Sequence, residues 1–204
     1  MKPYVTLAGQ GRAEFTERGS RFIGVCAPVS GEDAAKEFLA NVRKTHPGAS
    51  HNVFAYRLRG GVTRASDDGE PSGTAGAPVL EVLTRREVLD AALVVTRYFG
   101  GTLLGAGGLV RAYSRAASAA ADAAGVAEMR LWREGAAAVP YALYDSAMRL
   151  LERFFSRDVS SDFGADVVIR FLVPGESWEE FCAALRELSS GASVPECVRE
   201  LYLA

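Results

Sequence analysis

A chain of 204 residues, 49% hydrophobic and 24% charged, is not intrinsically disordered and carries enough apolar material to bury a core without disulfide or metal staples. Its longest uncharged stretch, residues 98–110, is 13 residues long with five glycines, short of the roughly 20 apolar residues that span a bilayer. The net charge of −2 hides an asymmetry, with 17 Lys and Arg against 14 Asp and Glu in residues 1–134 and 6 against 11 in residues 135–204.

In chain order, residues 5–7 and the apolar segment 20–29 (Phe22, Ile23, Val25, Cys26) read as strands. Ser30 with Asp33 resembles a capping box, opening a helix in which Ala35, Phe38, Leu39 and Val42 recur at helical spacing; His46-Pro47-Gly48 ends it. Residues 52–59, Gly60-Gly61 and residues 62–66 form a two-residue hairpin signal. A polar loop, SDDGEPSGTAG (66–76), leads into a helix beginning at Ala77. The run 91–96 is continuously apolar and β-branched, the mark of a strand covered on both faces. After YFGGTLLGAGG, an alanine-rich helix extends from about Leu109 to Ala124 and stops at Gly125.

The second half has another rhythm. A strand at 136–141 is followed by a helix at 143–155 with Ala147, Leu150, Leu151 and Phe154 inward. Strands at 159–163 and 166–173 flank Gly164, and a capping box of Ser177 and Glu180 opens a helix that ends at Gly191. The last strand is 194–203. The order βαββαβ is that of a ferredoxin-like unit. It gives an α+β fold class with two domains, 1–134 and 135–204, divided near Glu134-Gly135.

Three segments carry possible chemistry. With Gly60-Gly61 as the turn, Arg57 faces Arg64 across the hairpin, and alternation sets Phe54, Tyr56 and Leu58 on the core face. The opposite face is then open and holds Arg57, Arg59, Arg64 and His51, either as an anion site or as a solvated surface. In the loop, Asp67, Asp68 and Glu70 beside Ser72, Gly73 and Thr74 suit Mg²⁺ ligation or simple turn formation. Backbone N–H groups entering the next helix suit a phosphate, although no P-loop lysine is present. Finally, Arg97-Tyr98-Phe99-Gly100-Gly101 places a guanidinium and rings at the end of a buried strand. That arrangement suits base stacking or recognition of acidic groups, unless Arg97 pairs inward with Asp67 or Asp68. On the following helix Arg111, Arg115, Ser118 and Asp122 form one polar stripe.

Nucleophilic catalysis finds little support. His46 and His51 are the only histidines, and no G-x-S-x-G elbow accompanies a Ser72–His51–Asp67 constellation. Cys26, Cys182 and Cys197 form no CxxC pair. Gly105-Ala106-Gly107-Gly108 is too short for a dinucleotide fingerprint. No cofactor is implied, and the N-terminal MKPYVTLAGQGR lacks a signal-peptide pattern, so a cytoplasmic location without a membrane partner is expected.

Ser50-His51-Asn52, SDDGEPSGTAGAPVL (66–80) and VVTRYFGGTLLGAGGLVRAYSRAA (94–117) occur in that order. Together they resemble the IMPACT/YigZ family, most strongly over residues 12–125. The resemblance implies a first domain folded like the second domain of ribosomal protein S-five. It also implies a tail domain similar to the fifth domain of elongation factor G. The eukaryotic members add an N-terminal protein-binding domain that this sequence does not show. From the resemblance the expected role is non-enzymatic regulation of translation, through contact with RNA, the ribosome or a translation factor. The alternative is a Mg-dependent nucleotide or phosphate enzyme using the acidic loop. The family pattern falls on His51, Asn52, Asp67, Asp68, Gly69, Glu70, Pro71, Ser72, Gly73, Thr74, Ala75, Gly76, Arg97, Tyr98, Gly100, Gly101, Leu104 and Gly105.

Overall fold

In the computed structural model, which describes residues 2–204, contacts separate Tyr4–Ala127 from Glu128–Ala204, the latter taking in residues 2–3. The first unit contains β1 (Tyr4–Leu7), β2 (Gly11–Glu17), β3 (Ser20–Pro28), α1 (Glu32–Thr45), β4 (His51–Arg57), β5 (Thr63–Ser66), α2 (Gly76–Arg85), β6 (Ala91–Tyr98) and α3 (Ala106–Ala124). Its sheet has the order β2-β3-β6-β4-β5, every neighbouring pair antiparallel. Central β6 lacks alternation because both its faces are buried: Ala91, Leu93 and Val95 pack under α2 and α3, while Ala92 and Val94 pack under α1. The acidic first turn and basic last turn of α1 also complement its dipole.

β2 was not expected from the sequence. It alternates small or aromatic residues with Arg12, Glu14 and Thr16, and as an edge strand it has little apolar signal. Neither serine cap forms as anticipated: Gly31 occupies the N-cap of α1, and Ser177 caps the last helix by position without a side-chain hydrogen bond.

The hairpin register differs by one residue from the expected one. Leu58 pairs with Val62 through its N–H at 2.8 Å, so Arg59, Gly60 and Gly61 form a three-residue turn. Arg57 then pairs with Thr63, and Arg64 with Tyr56. Because a one-residue slip reverses side-chain direction, Arg57 and Arg64 point to opposite faces and form no shared anion site. Nor is the face of His51, Val53, Ala55 and Arg57 open, since α2 and α3 cover it and bury Val53 and Ala55.

Helix α3 lies unusually close to the sheet. A Cβ added to Gly24 would sit 2.4 Å from the Ala116 carbonyl oxygen, and one on Gly11 would sit 2.1 Å from that of Ala120. Glycines below and alanines above therefore bring helix and strands together. This contact fixes the height and rotation of α3, and with them the direction of the residues at its N-terminus.

In the second unit, β7 (Val126–Val139) is followed by α4 (Tyr144–Arg153), β8 (Arg157–Phe163), β9 (Val167–Pro174), α5 (Trp178–Leu188) and β10 (Glu196–Leu203). The antiparallel strand order β10-β7-β9-β8 is that of the ferredoxin-like βαββαβ unit. Its core gathers Ala137, Val139, Leu151, Ile169, Phe171, Trp178 and Phe181 between sheet and helices. β7 starts ten residues earlier than the expected 136–141 strand because its first half is polar and alternating. The units divide at Ala127–Glu128, within that strand, seven residues before Glu134-Gly135.

The Gly24→Ala variant should lose about 1–3 kcal/mol in urea unfolding, the usual cost of overpacking. An unchanged midpoint would show that α3 can lift off the sheet without loss.

Candidate functional site: a stapled acidic loop and a basic rim

Loop 67–75 folds over the α2/α3 side of the sheet where β6 ends, and its three carboxylates take three separate tasks. Asp67 accepts the backbone N–H groups of Gly73 at 2.9 Å, Ala75 at 3.0 Å and Gly76 at 2.8 Å. It thereby occupies the positive start of α2 that a phosphate would need. Burial acts to raise the Asp67 carboxyl, but these three donors outweigh it and hold it below the ordinary carboxylate value. Asp68, at φ 45°, accepts the Asn52 N–H at 2.6 Å and Arg43 at 3.0 Å, while its carbonyl lies 2.8 Å from His51 Nδ1.

Glu70 turns inward and is 9% exposed. Its Oε1 accepts Arg97 Nη1 at 2.6 Å and the Tyr113 hydroxyl at 2.7 Å. Arg97, 4% exposed, is therefore not a surface clamp; its partner is Glu70 rather than Asp67 or Asp68. Its Nη2 donates to Ser20 Oγ at 3.2 Å. Burial and the Glu70 carboxylate push the Tyr113 phenol far above its ordinary range, so it remains a donor. His51 Nε2 approaches Glu70 at 3.8 Å.

The three carboxylates diverge, and among the described residues no group of three His, Cys, Asp or Glu is placed to hold a metal ion. Ser72, His51 and Asp67 likewise share no hydrogen bond: His51 is turned to Asp68, and Asp67 to α2. Ser72 and Gly73 are exposed, and the Thr74 hydroxyl donates to the Pro71 carbonyl at 2.6 Å. Asn52 Oδ1 accepts the Thr96 hydroxyl at 2.8 Å. Tyr98 faces the α1 side, its hydroxyl 2.9 Å from His46 Nδ1. Burial, with Arg12 and Arg21 nearby, holds His46 below its ordinary value.

Beyond the knot lies a basic rim. The Arg18–Gly19 turn between β2 and β3 meets the β6–α3 loop so closely that a Cβ on Gly100 would fall 1.9 Å from the Gly19 carbonyl carbon. The loop continues through exposed Gly101 and an 81% exposed Leu103 into α3, whose N-cap is Gly105 with no side-chain cap and no acidic residue in the first turn. A hollow of about 260 Å³ there is lined by Phe15, Glu17, Arg18, Leu104, Gly108, Arg111, Ala112 and Arg115. Arg115 rests on the Phe15 ring at 4.2 Å and approaches Glu17 at 3.9 Å. Arg18 and Arg111 have no acidic partner within 4.0 Å among the described residues. Arg111 was legible as part of the polar stripe; Arg18 was not, because β2 and its turn were missed. Farther along α3 the stripe changes use, with Arg86 held by Ser118 Oγ at 2.7 Å and Asp122 at 2.8 Å.

Fold and site define a two-unit α+β protein whose first unit presents a basic rim beside a carboxylate-stapled loop. Residues 18–121 match the family model of the Impact N-terminal domain, and residues 138–192 match a domain of unknown function, DUF1949. The chain is 47% identical over 132 residues to the IMPACT family member YvyE of Bacillus subtilis, covering 64% of this chain and 61% of that one. It is 36% identical over 178 residues to YigZ of Escherichia coli, covering 85% and 87%. Rat Protein IMPACT is 35% identical over 100 residues, which are 46% of this chain and 31% of that protein. A crystal structure of a hypothetical protein superposes with a TM-score of 0.67 at 32% identity and 98% coverage of both chains. The chain belongs to the IMPACT family.

Two outcomes follow from the loop. Glu70→Ala leaves Arg97 buried without its carboxylate and should cost about 3–5 kcal/mol in chemical unfolding; a loss below about 1 kcal/mol would mean that water replaces the pair. Asp67→Ala should cost about 1–3 kcal/mol near neutral pH by stranding N–H donors. Because the folded carboxyl has the lower pKa, this difference should be full above about pH 4 and shrink as pH falls further. A difference independent of pH between 2 and 7 would exclude the charged carboxylate as its source.

Proposed function

We propose that the chain is a non-enzymatic, translation-associated protein that binds RNA, free or in the ribosome, through the basic rim of its first unit. The observation that carries this reading is the pair of uncompensated guanidiniums, Arg18 and Arg111, flanking the uncapped start of a 19-residue helix. Arg111 reaches back over that start, its Nη1 3.7 Å from where a Cβ on Gly107 would lie. Unpaired arginines held close together repel one another, and a polyanion relieves that repulsion while releasing its own counterions. The exposed first turn adds backbone donors and positive dipole. Membership of the IMPACT family supports a regulatory role. The likeness of the two units to the second domain of ribosomal protein S-five and the fifth domain of elongation factor G belongs to the same proposal. An enzyme reading through the acidic loop is less favoured because Asp67 already fills the N–H cradle it would use.

The test is a salt titration of RNA binding with an Arg18→Ala/Arg111→Ala double variant. The slope of log K against log salt should fall by about 1 to 2, with weaker binding across sequences. An unchanged slope and affinity in a folded variant would remove the rim from the interface.

A further inference from the structure

Phe99 stands at the junction of the buried knot and the rim. The residue is 48% exposed, although its backbone is fixed: the N–H donates to Ser50 Oγ at 3.0 Å, and the next N–H, of Gly100, donates to Ser20 Oγ at 3.2 Å. The Arg97 guanidinium lies 5.4 Å from the ring centroid. That guanidinium is itself locked by Glu70 and Ser20, and its Nε has no hydrogen-bond partner. One side of the ring is therefore backed by an immobile buried cation. Among the described residues no other aromatic ring packs on Phe99. Gly100 touches Gly19, so the backbone that carries Phe99 runs directly into the contact with the turn that carries Arg18.

An exposed apolar ring on a hydrogen-bonded backbone, one residue from the contact with the Arg18 turn, together with the rim arginines offers the two components of single-strand recognition, a stacking platform and phosphate-binding charge. We infer that Phe99 stacks an unpaired base while Arg18 and Arg111 hold phosphates of the same strand. The ligand class is then single-stranded or looped RNA. A regular duplex keeps its bases stacked inside and offers only its backbone and groove edges. The cation behind Phe99 attracts the ring's electron-rich face, which favours one ring orientation and lowers the entropy lost on stacking. This inference rests on the RNA-binding proposal above and narrows it to one strand type.

The experiment compares fluorescence anisotropy of a labelled oligouridine with that of a blunt RNA duplex of equal length, using the full chain, Phe99→Ala, Phe99→Tyr and Arg18→Ala. The wild type should prefer the single strand. Phe99→Ala should weaken single-strand binding on the order of tenfold to a hundredfold while leaving the duplex affinity and the salt slope unchanged. Phe99→Tyr should retain binding, and Arg18→Ala should lower the slope for both ligands. Equal binding of strand and duplex, with no loss in Phe99→Ala, would overturn the stacking role and leave the phosphate-binding rim standing. If the wild type binds neither RNA, both proposals fall. Matching circular dichroism melts assure that Phe99→Ala, at an exposed position, is folded.

Discussion

Oε1 of Glu70 receives Arg97 and Tyr113 together, and that junction organises the first unit. The carboxylate comes from the acidic loop, the guanidinium from central β6 and the phenol from α3. A buried ion pair contributes modest net stability because desolvation offsets its attraction, but any arrangement that separates the partners is heavily penalised. The pair therefore specifies where the loop sits more than it strengthens the fold. Once Glu70 is seated, the chain turns back through Asp68 and Gly69 at φ 45° and 89°. Asp67 then reaches the start of α2, and Asp68 reaches β4. Three acidic residues whose spacing suits either a cation or a turn are, in place, three anchors.

The parts of the fold legible in the sequence were those whose pattern reflects burial directly. Continuous apolar character at 91–96 identified the central strand, and alanine periodicity identified α3. The βαββαβ order of the second half appeared in the expected sequence of elements. What escaped was set by partners distant in the chain. β2 is a strand because β3 pairs with it and because α3 presses on Gly11, neither of which its own polar alternation reports. The hairpin register turned on whether Arg59 belongs to the strand or the turn, and Asp90 decides it by accepting the Arg59 N–H at 2.8 Å. Within the site, Asp67, Asp68, Glu70 and Arg97 were all identifiable as residues of interest. Their roles were not, because composition cannot say which of three carboxylates turns inward.

The division of arginines between inside and outside follows from the same geometry. On β6, odd-numbered residues face α2 and α3, which commits Arg97 to the interior and obliges a carboxylate to meet it. On α3, the face pressed to the sheet is small and apolar, so Arg111 and Arg115 must lie on the other side of the helix. Glycine at 11 and 24 lets α3 settle onto β2 and β3 at Ala116, Ala120 and Ala124. Close helix packing thus sets Arg111 and Arg115 in the same hollow as Arg18.

Rigidity then links the two zones. Ser20 receives both the Arg97 guanidinium and the Gly100 N–H, so the residue that begins β3 ties the buried ion pair to the exposed loop. A glycine-rich loop such as 100–108 would ordinarily lose much conformational freedom on meeting a ligand. Here its first residue, Gly100, is already held by the Ser20 hydroxyl and by backbone contact with Gly19, and Phe99 just before it by the Ser50 hydroxyl. The interior charge network thereby supplies what a surface recognition site needs most, a fixed platform whose ordering cost is met during folding rather than during binding.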